Sequence, residues 1–212
     1  MPDPSRPRRR RKEARPAEII DAGLQEFALH GFAATRMEDV AARAGIAKGT
    51  IYRYFEDKET LFIAAIRSRL FIFSGSIQEQ IDSFPGHSSD LLRLLFTHIH
   101  QTMDDPEVRV LEQIFLSEGA RFPVLTELYH REVLSHGRAL LARVVARGVA
   151  RGEFREGPAT SLPMVLIAPA LLAVFWKMNF QRHEAISPET FLQAHLDLVL
   201  HGIELPRPPA MP

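Results

Sequence analysis

Seven consecutive residues, Lys48-Gly49-Thr50-Ile51-Tyr52-Arg53-Tyr54, bring together an ammonium, a guanidinium, two phenols and a hydroxyl. At 100° per residue, Ile51 and Phe55 share one side of a helix expected from about Ala47 to Phe55. Gly49 and Arg53 lie opposite, flanked by Lys48, Thr50, Tyr52 and Tyr54. The chemistry on offer is recognition of anions and base edges. An ammonium is a mobile point charge for phosphate, and a glycine lets a helix start approach a duplex closely. A guanidinium bonds guanine in bidentate fashion, while hydroxyls and phenols reach phosphate oxygens or a thymine methyl. Equally, the tyrosines would serve as boundary residues over a small core and Arg53 as a solvated charge. The elements that hold these residues decide between the two.

Upstream, Ile20, Leu24, Phe27 and Ala28 fall on one face of a helix expected over Pro16–His30, with Pro16 in its first turn and Gly31 as its stop. Thr35 followed by Glu38 has the spacing of a capping box for a second helix, lined by Met37, Val40, Ala41 and Ala44. Gly45 stands where a tight turn needs a positive φ, with Ile46 as an anchor. Downstream, Asp57 is placed to cap a fourth helix. A lysine in that helix's first turn, Lys58, sits at a positive helix end, and this misfit suggests a phosphate contact.

The run T-x-M-E-D-V-A-x-x-A-G-I-A-K-G-T-I-Y-R-Y-F-x-D-K-E-T-L, Thr35 through Leu61, resembles the N-terminal signature of TetR/AcrR-type transcriptional regulators, and the match extends back to Ile19. The resemblance implies an all-α fold of about nine helices. A three-helix helix-turn-helix DNA-binding domain would be joined by a linking helix to a C-terminal helical domain that binds ligand and dimerises. It implies a ligand-responsive repressor that binds a palindromic double-stranded DNA operator as a homodimer and is released by a small hydrophobic or aromatic effector, with no cofactor. The residues it assigns to DNA are Thr35, Arg36, Lys48, Gly49, Thr50, Tyr52, Arg53, Tyr54 and Lys58. One departure is Ala47, where the family often has a hydroxyl residue; its loss removes about 1 kcal/mol of capping.

Composition narrows the chemistry without naming it. The 212 residues are 46% hydrophobic and contain no cysteine, which excludes disulfides, zinc-thiolate and iron–sulfur sites. Net charge is zero, but through Lys58 there are twelve basic against nine acidic residues, with most of the excess in Arg6–Arg15. Residues 1–14 are expected to form a disordered basic arm, either tracking phosphates or serving as a solubilising tail. No apolar stretch of a signal peptide follows, so a cytoplasmic location is expected. The longest apolar run, Leu162–Trp176, is shorter than the roughly 20 residues that span a bilayer.

The expected division is 1–14 arm, 15–60 reading head, 61–205 helical ligand-binding and dimerisation domain, and 206–212 flexible tail. Phe96, His100, Met103, Phe115, Phe122, Trp176 and Phe180 are candidates for an effector pocket, or for ordinary core at helical spacing. Leu162, Val165, Leu166, Pro169, Leu172, Ala173, Phe191, His195, Leu198, Val199 and Gly202 offer faces for a second copy, or for the core of one. The nine histidines lack H-x-x-x-H spacing, so no metal site is expected. Nor is there a phosphate loop, a G-x-S-x-G elbow or a convincing carboxylate pair, so no enzyme is expected. A small-molecule-binding helical protein without specific DNA binding is the alternative.

Overall fold

Apolar residues at i, i+4 and i+7 organise the first helix. The computed structural model describes residues 6–70 and 81–205. In α1 (Arg6–Ala34), Ile20, Leu24 and Phe27 are buried as their spacing requires, whereas Ala28 faces solvent. The arm expected to be disordered is instead helical from Arg6, because Arg, Lys, Glu and Ala propagate a helix already nucleated downstream. Pro16 is therefore an interior residue of α1, not a first-turn one. Residues 1–5 and the expected tail at 206–212 lie outside the described residues. Gly31 breaks the helix with φ 74° and ψ 174°, the stop expected there.

The chain continues through α2 (Met37–Arg43), α3 (Lys48–Ile51), α4 (Lys58–Leu70), α5 (Ser88–Asp104), α6 (Pro106–Glu118) and α7 (Pro123–Tyr129). A π-helical turn, His130–Leu134, leads into α8 (Ser135–Ala150); α9 (Pro158–Ser161), a 3-10 turn (Pro163–Ile167), α10 (Ala168–Asn179) and α11 (Pro188–Ile203) complete it. The fold is all-α, and the β feature among the described residues is an isolated bridge between Phe154 and Glu204. The described residues hold eleven α-helices rather than about nine. Pro163 and Pro169 carry no N–H, so the apolar run Leu162–Trp176 and its flanks fold as three short elements, Pro158–Ser161, Pro163–Ile167 and Ala168–Asn179, not as one helix. Between Pro123 and Ala150 the π-helical turn separates α7 from α8.

The described residues form two compact units, one comprising those up to 70 with 110–132, the other 81–109 with 133–205. The boundary expected at 60/61 thus falls inside α4. Packing explains this: Phe27, Phe32 and Phe62 are each fully buried and pack ring against ring, with centroids 5.4–5.9 Å apart, so α4 is inseparable from α1. Phe122 adds a fourth ring, 5.4 Å from Phe32.

In the same unit the break at Gly31 is held from two sides. The Glu118 carboxylate accepts the amides of Phe32 (2.8 Å) and Ala33 (2.9 Å). The Lys58 ammonium donates to the carbonyls of the same two residues, at 2.9 and 3.0 Å, and lies 4.7 Å from the Phe32 ring centre. Backbone groups left without helical partners are thereby satisfied by charged ones.

The second unit is built on Leu92 and Phe96 of α5, Val144 and Val145 of α8, and Val199 and Leu200 of α11, all buried. Glu153, buried after α8, accepts the Ser88 amide at 2.7 Å and pairs with Arg151 at 2.7 Å. Burial pushes its carboxyl up, but the Ser88 hydroxyl and amide, with Arg151, outweigh it and hold the group at about 2.

At Gly31 a Cβ would meet Glu118 Oε1 at 2.7 Å and would occupy a backbone region open essentially to glycine alone. Gly31→Ala is expected to lower unfolding free energy by about 1–3 kcal/mol. Gly45→Ala, at φ 65° with nothing within 4 Å of a Cβ, should cost less. Urea titrations of both variants check the order.

Candidate nucleic-acid interface

The turn before α3 is set by backbone bonding. After α2, Gly45 N–H bonds Ala42 O (3.1 Å) and Ile46 N–H bonds Ala41 O (3.0 Å), with Gly45 at the positive φ its position demanded. This Schellman geometry satisfies two terminal carbonyls of α2 and fixes the direction in which α3 departs. Ala47 precedes α3 without a side-chain cap, as its methyl group requires. α3 itself is shorter than expected: regular helix ends at Ile51, and Arg53, Tyr54 and Phe55 close through bonds to Thr50 and Ile51. Asp57 Oδ1 accepts the Thr60 amide at 2.7 Å, the expected cap of α4.

Ile51 and Phe55 are buried, which turns the opposite side outward. There Lys48, Gly49, Tyr52 and Arg53 are exposed, Thr50 and Tyr54 half-buried, and a Cβ on Gly49 would touch nothing within 4 Å. Arg36 is exposed ahead of α2. Two further residues are placed otherwise. Thr35 is buried and donates its hydroxyl to Gly31 O at 2.6 Å, so it neither caps α2, whose N-cap is Arg36, nor presents a group outward. Lys58 is half-buried, its ammonium occupied by the Phe32 and Ala33 carbonyls; these resolve the apparent misfit at a helix start that had suggested a phosphate contact. A residue missed in sequence is Glu38, whose Oε1 accepts from Lys48 Nζ (2.8 Å) and Tyr52 Oη (3.1 Å). Its capping-box spacing had assigned it to Thr35.

The expected effector residues are divided between the two units. Phe96 is core, its ring centre 4.3 Å from that of His195, while in the first unit Phe115 stacks on Tyr129 and Phe122 meets Phe32 edge to face. Trp176 and Phe180 pack together, and Trp176 Nε1 donates to Glu184 O at 2.9 Å. His100 and Met103 alone share a small cavity of about 30 Å³, bordered by Lys177 and Asp104, which form an ion pair. A larger opening of about 560 Å³ is lined by Ile81, Phe84, Leu91, Leu95, Leu140 and Val144, with His98 at its wall. None of the expected effector residues lines it.

The expected pairing residues divide by helix face. Leu166, His195 and Val199 are buried within the unit, whereas Pro169, Ala173, Phe191 and Gly202 are half-buried. Leu162, Val165, Leu172 and Leu198 stand 58, 47, 51 and 65% exposed, and Leu171 and Phe175 beside them are also exposed.

Residues 19–65 match the model of bacterial regulatory proteins of the tetR family, and residues 87–199 match the tetracyclin repressor-like C-terminal domain. The chain belongs to the TetR family. It is therefore a helix-turn-helix transcriptional regulator and not an enzyme. Among TetR-family relatives, the fatty acid metabolism regulator protein of Bacillus subtilis is 25% identical over 198 residues, covering 91% of this chain and 98% of the relative. The HTH-type transcriptional repressor SCO4008 of Streptomyces coelicolor is 30% identical over 163 residues, 76% of this chain and 79% of the relative. In fold, the chain is similar to the transcriptional regulator FadR from Bacillus subtilis in complex with stearoyl-CoA, with TM-score 0.68 and 23% identity over 89% of this chain and 99% of that one. Among the described residues no helix is long and apolar enough to cross a membrane.

The buried histidine pair of the second unit has a definite proton order. His195 Nε2 donates to Leu166 O at 2.7 Å, since a carbonyl only accepts; its Nδ1 is therefore a lone pair that accepts from His100 Nε2–H at 3.0 Å. Burial, aided by His195, holds His100 down at about 4, and burial also lowers His195. Both are neutral when folded and take up protons when unfolded near 6.5. Stability should consequently fall as pH drops from about 6.5 toward 4. His100→Gln, which keeps a donor toward His195, should flatten that slope in melts taken across this window.

Proposed function

We propose that this TetR-family chain is a ligand-responsive repressor that binds double-stranded DNA through the outward face of residues 48–54 as a homodimer. The observation that carries the reading is the Schellman turn that buries Ile51 and Phe55 and leaves Lys48, Tyr52 and Arg53 outward. Arg36, Gly49, Thr50 and Tyr54 complete the proposed contact set. A four-residue helix reads too few bases to specify an operator alone, so two heads related by a twofold axis would take half-sites about one helical turn apart. The basic N-terminal extension of α1 adds positive charge to the same unit.

The exposed row Leu162, Val165, Leu172, Leu198 suits the second copy: large apolar side chains on adjoining surface elements favour association. The second unit, residues 81–109 with 133–205, would thus hold both pairing and effector functions. For the effector, the cavity between α5, α8 and Ile81–Pro85 is apolar apart from Ser83 and His98. A hydrophobic molecule fits that lining, and the stearoyl-CoA bound by the FadR relative makes long-chain acyl-CoA the first probe. Because ligand and DNA would favour different states, each weakens the other's binding. A regulator of this kind works in the cytoplasm.

Selection of bound sequences from random DNA, followed by release assays with acyl-CoAs, tests the whole reading; recovery of no enriched palindrome would contradict it. Lys48→Ala is expected to weaken binding to all sequences and reduce the salt slope by less than about one. Arg53→Ala should cost about 1–3 kcal/mol on the selected site and relax preference at one base position. Leu172→Asp should convert the dimer to a protomer, read by light scattering.

A further inference from the structure

Lys48 of α3 and Tyr52 just after it, two exposed groups of the face proposed to read DNA, share one acceptor within the protein. Glu38 projects from α2 across the turn, and its Oε1 receives Lys48 Nζ at 2.8 Å and Tyr52 Oη at 3.1 Å. Exposure of the two charged partners is substantial, 68% for the Lys48 side chain and 40% for that of Glu38. From this geometry we infer that Glu38 is an internal competitor for phosphate, a carboxylate that occupies Lys48 and Tyr52 until the DNA backbone replaces it. The inference rests on the DNA-reading face proposed above.

A phosphate oxygen and a carboxylate oxygen present the same chemistry to an ammonium: a charged acceptor at hydrogen-bond distance. The two anions repel, so Lys48 gains a phosphate only by leaving Glu38 or by bridging two like charges. Glu38 remains ionised throughout the range in which proteins bind DNA, since Lys48, then its own backbone amide and Tyr52, lower its carboxyl to about 2. Competition is therefore not relieved by mild acid. Counterion accounting gives the same sign. When Lys48 moves to DNA, a condensed cation leaves the duplex, but the bared carboxylate attracts one back, so Lys48 contributes less than one full ion to the salt dependence.

Glu38→Gln separates charge from shape, because the amide oxygen still accepts from Tyr52 while the competing charge is gone. The variant is expected to bind both the selected site and random duplex roughly 1.5- to fivefold more tightly, the scale of an exposed ion pair. Its log K against log salt plot should steepen by up to about one ion. In a Lys48→Ala background most of the gain should vanish.

The test is fluorescence-anisotropy binding at three or more salt concentrations, on all four members of the cycle, with circular dichroism confirming equal folding. Unchanged or weaker binding by Glu38→Gln would overturn the inference while leaving the DNA reading intact, as would an equal gain without Lys48. Failure of the wild-type chain to bind any selected DNA would overturn both.

Discussion

The peptide segment Phe32–Ala33 is the point on which the reading head depends. Gly31 ends α1 in a conformation open essentially to glycine, and this strands backbone groups beside the aromatic core. Glu118 takes the amides and Lys58 the carbonyls, so one dipeptide is gripped by opposite charges from α6 and α4. Phe32, at the centre of that grip, is fully buried against Phe27, Phe62 and Phe122. Polar satisfaction and apolar burial thus act on the same two residues.

From that fixed point the head is assembled by local rules. Glu26, buried on α1, pairs with Arg43 at the end of α2 and ties the two helices together. The Schellman bonds at Gly45 then set α3, and Ile51 and Phe55 pin it from below. What is left facing outward is a small basic and aromatic surface whose direction is decided by buried side chains. Glu38 shows that this surface is also conditioned electrostatically, by an acidic neighbour on the preceding helix.

Much of this was legible in the sequence where a residue's backbone requirement is local. Gly31, Gly45 and Asp57 announced a stop, a turn and a cap, and the structure has all three. Signals that allow two partners misled. Thr35 and Glu38 have capping-box spacing, but the threonine hydroxyl finds Gly31 O and the glutamate finds Lys48 and Tyr52. Lys58 looked misplaced at a helix start because the carbonyls that receive it lie 25 and 26 residues away. Phe96, Phe115, Phe122 and Trp176 show why an effector site is hard to read: core and cavity-lining residues share one helical periodicity, so spacing alone does not separate them. Helix breaks at Pro163 and Pro169 and the π-helical turn at His130–Leu134 likewise turned fewer expected helices into more observed ones.

Under the proposed function, residues 48–54 of two protomers lie in the major grooves of two successive half-sites. Hydroxyl-radical footprinting of the best selected duplex tests it most directly. The expected result is two protected patches on each strand, related by a twofold axis and centred about one helical turn apart, 10–10.5 base pairs. A footprint without that symmetry, or one that persists unaltered when Lys48 and Arg53 are both replaced by alanine, would contradict it.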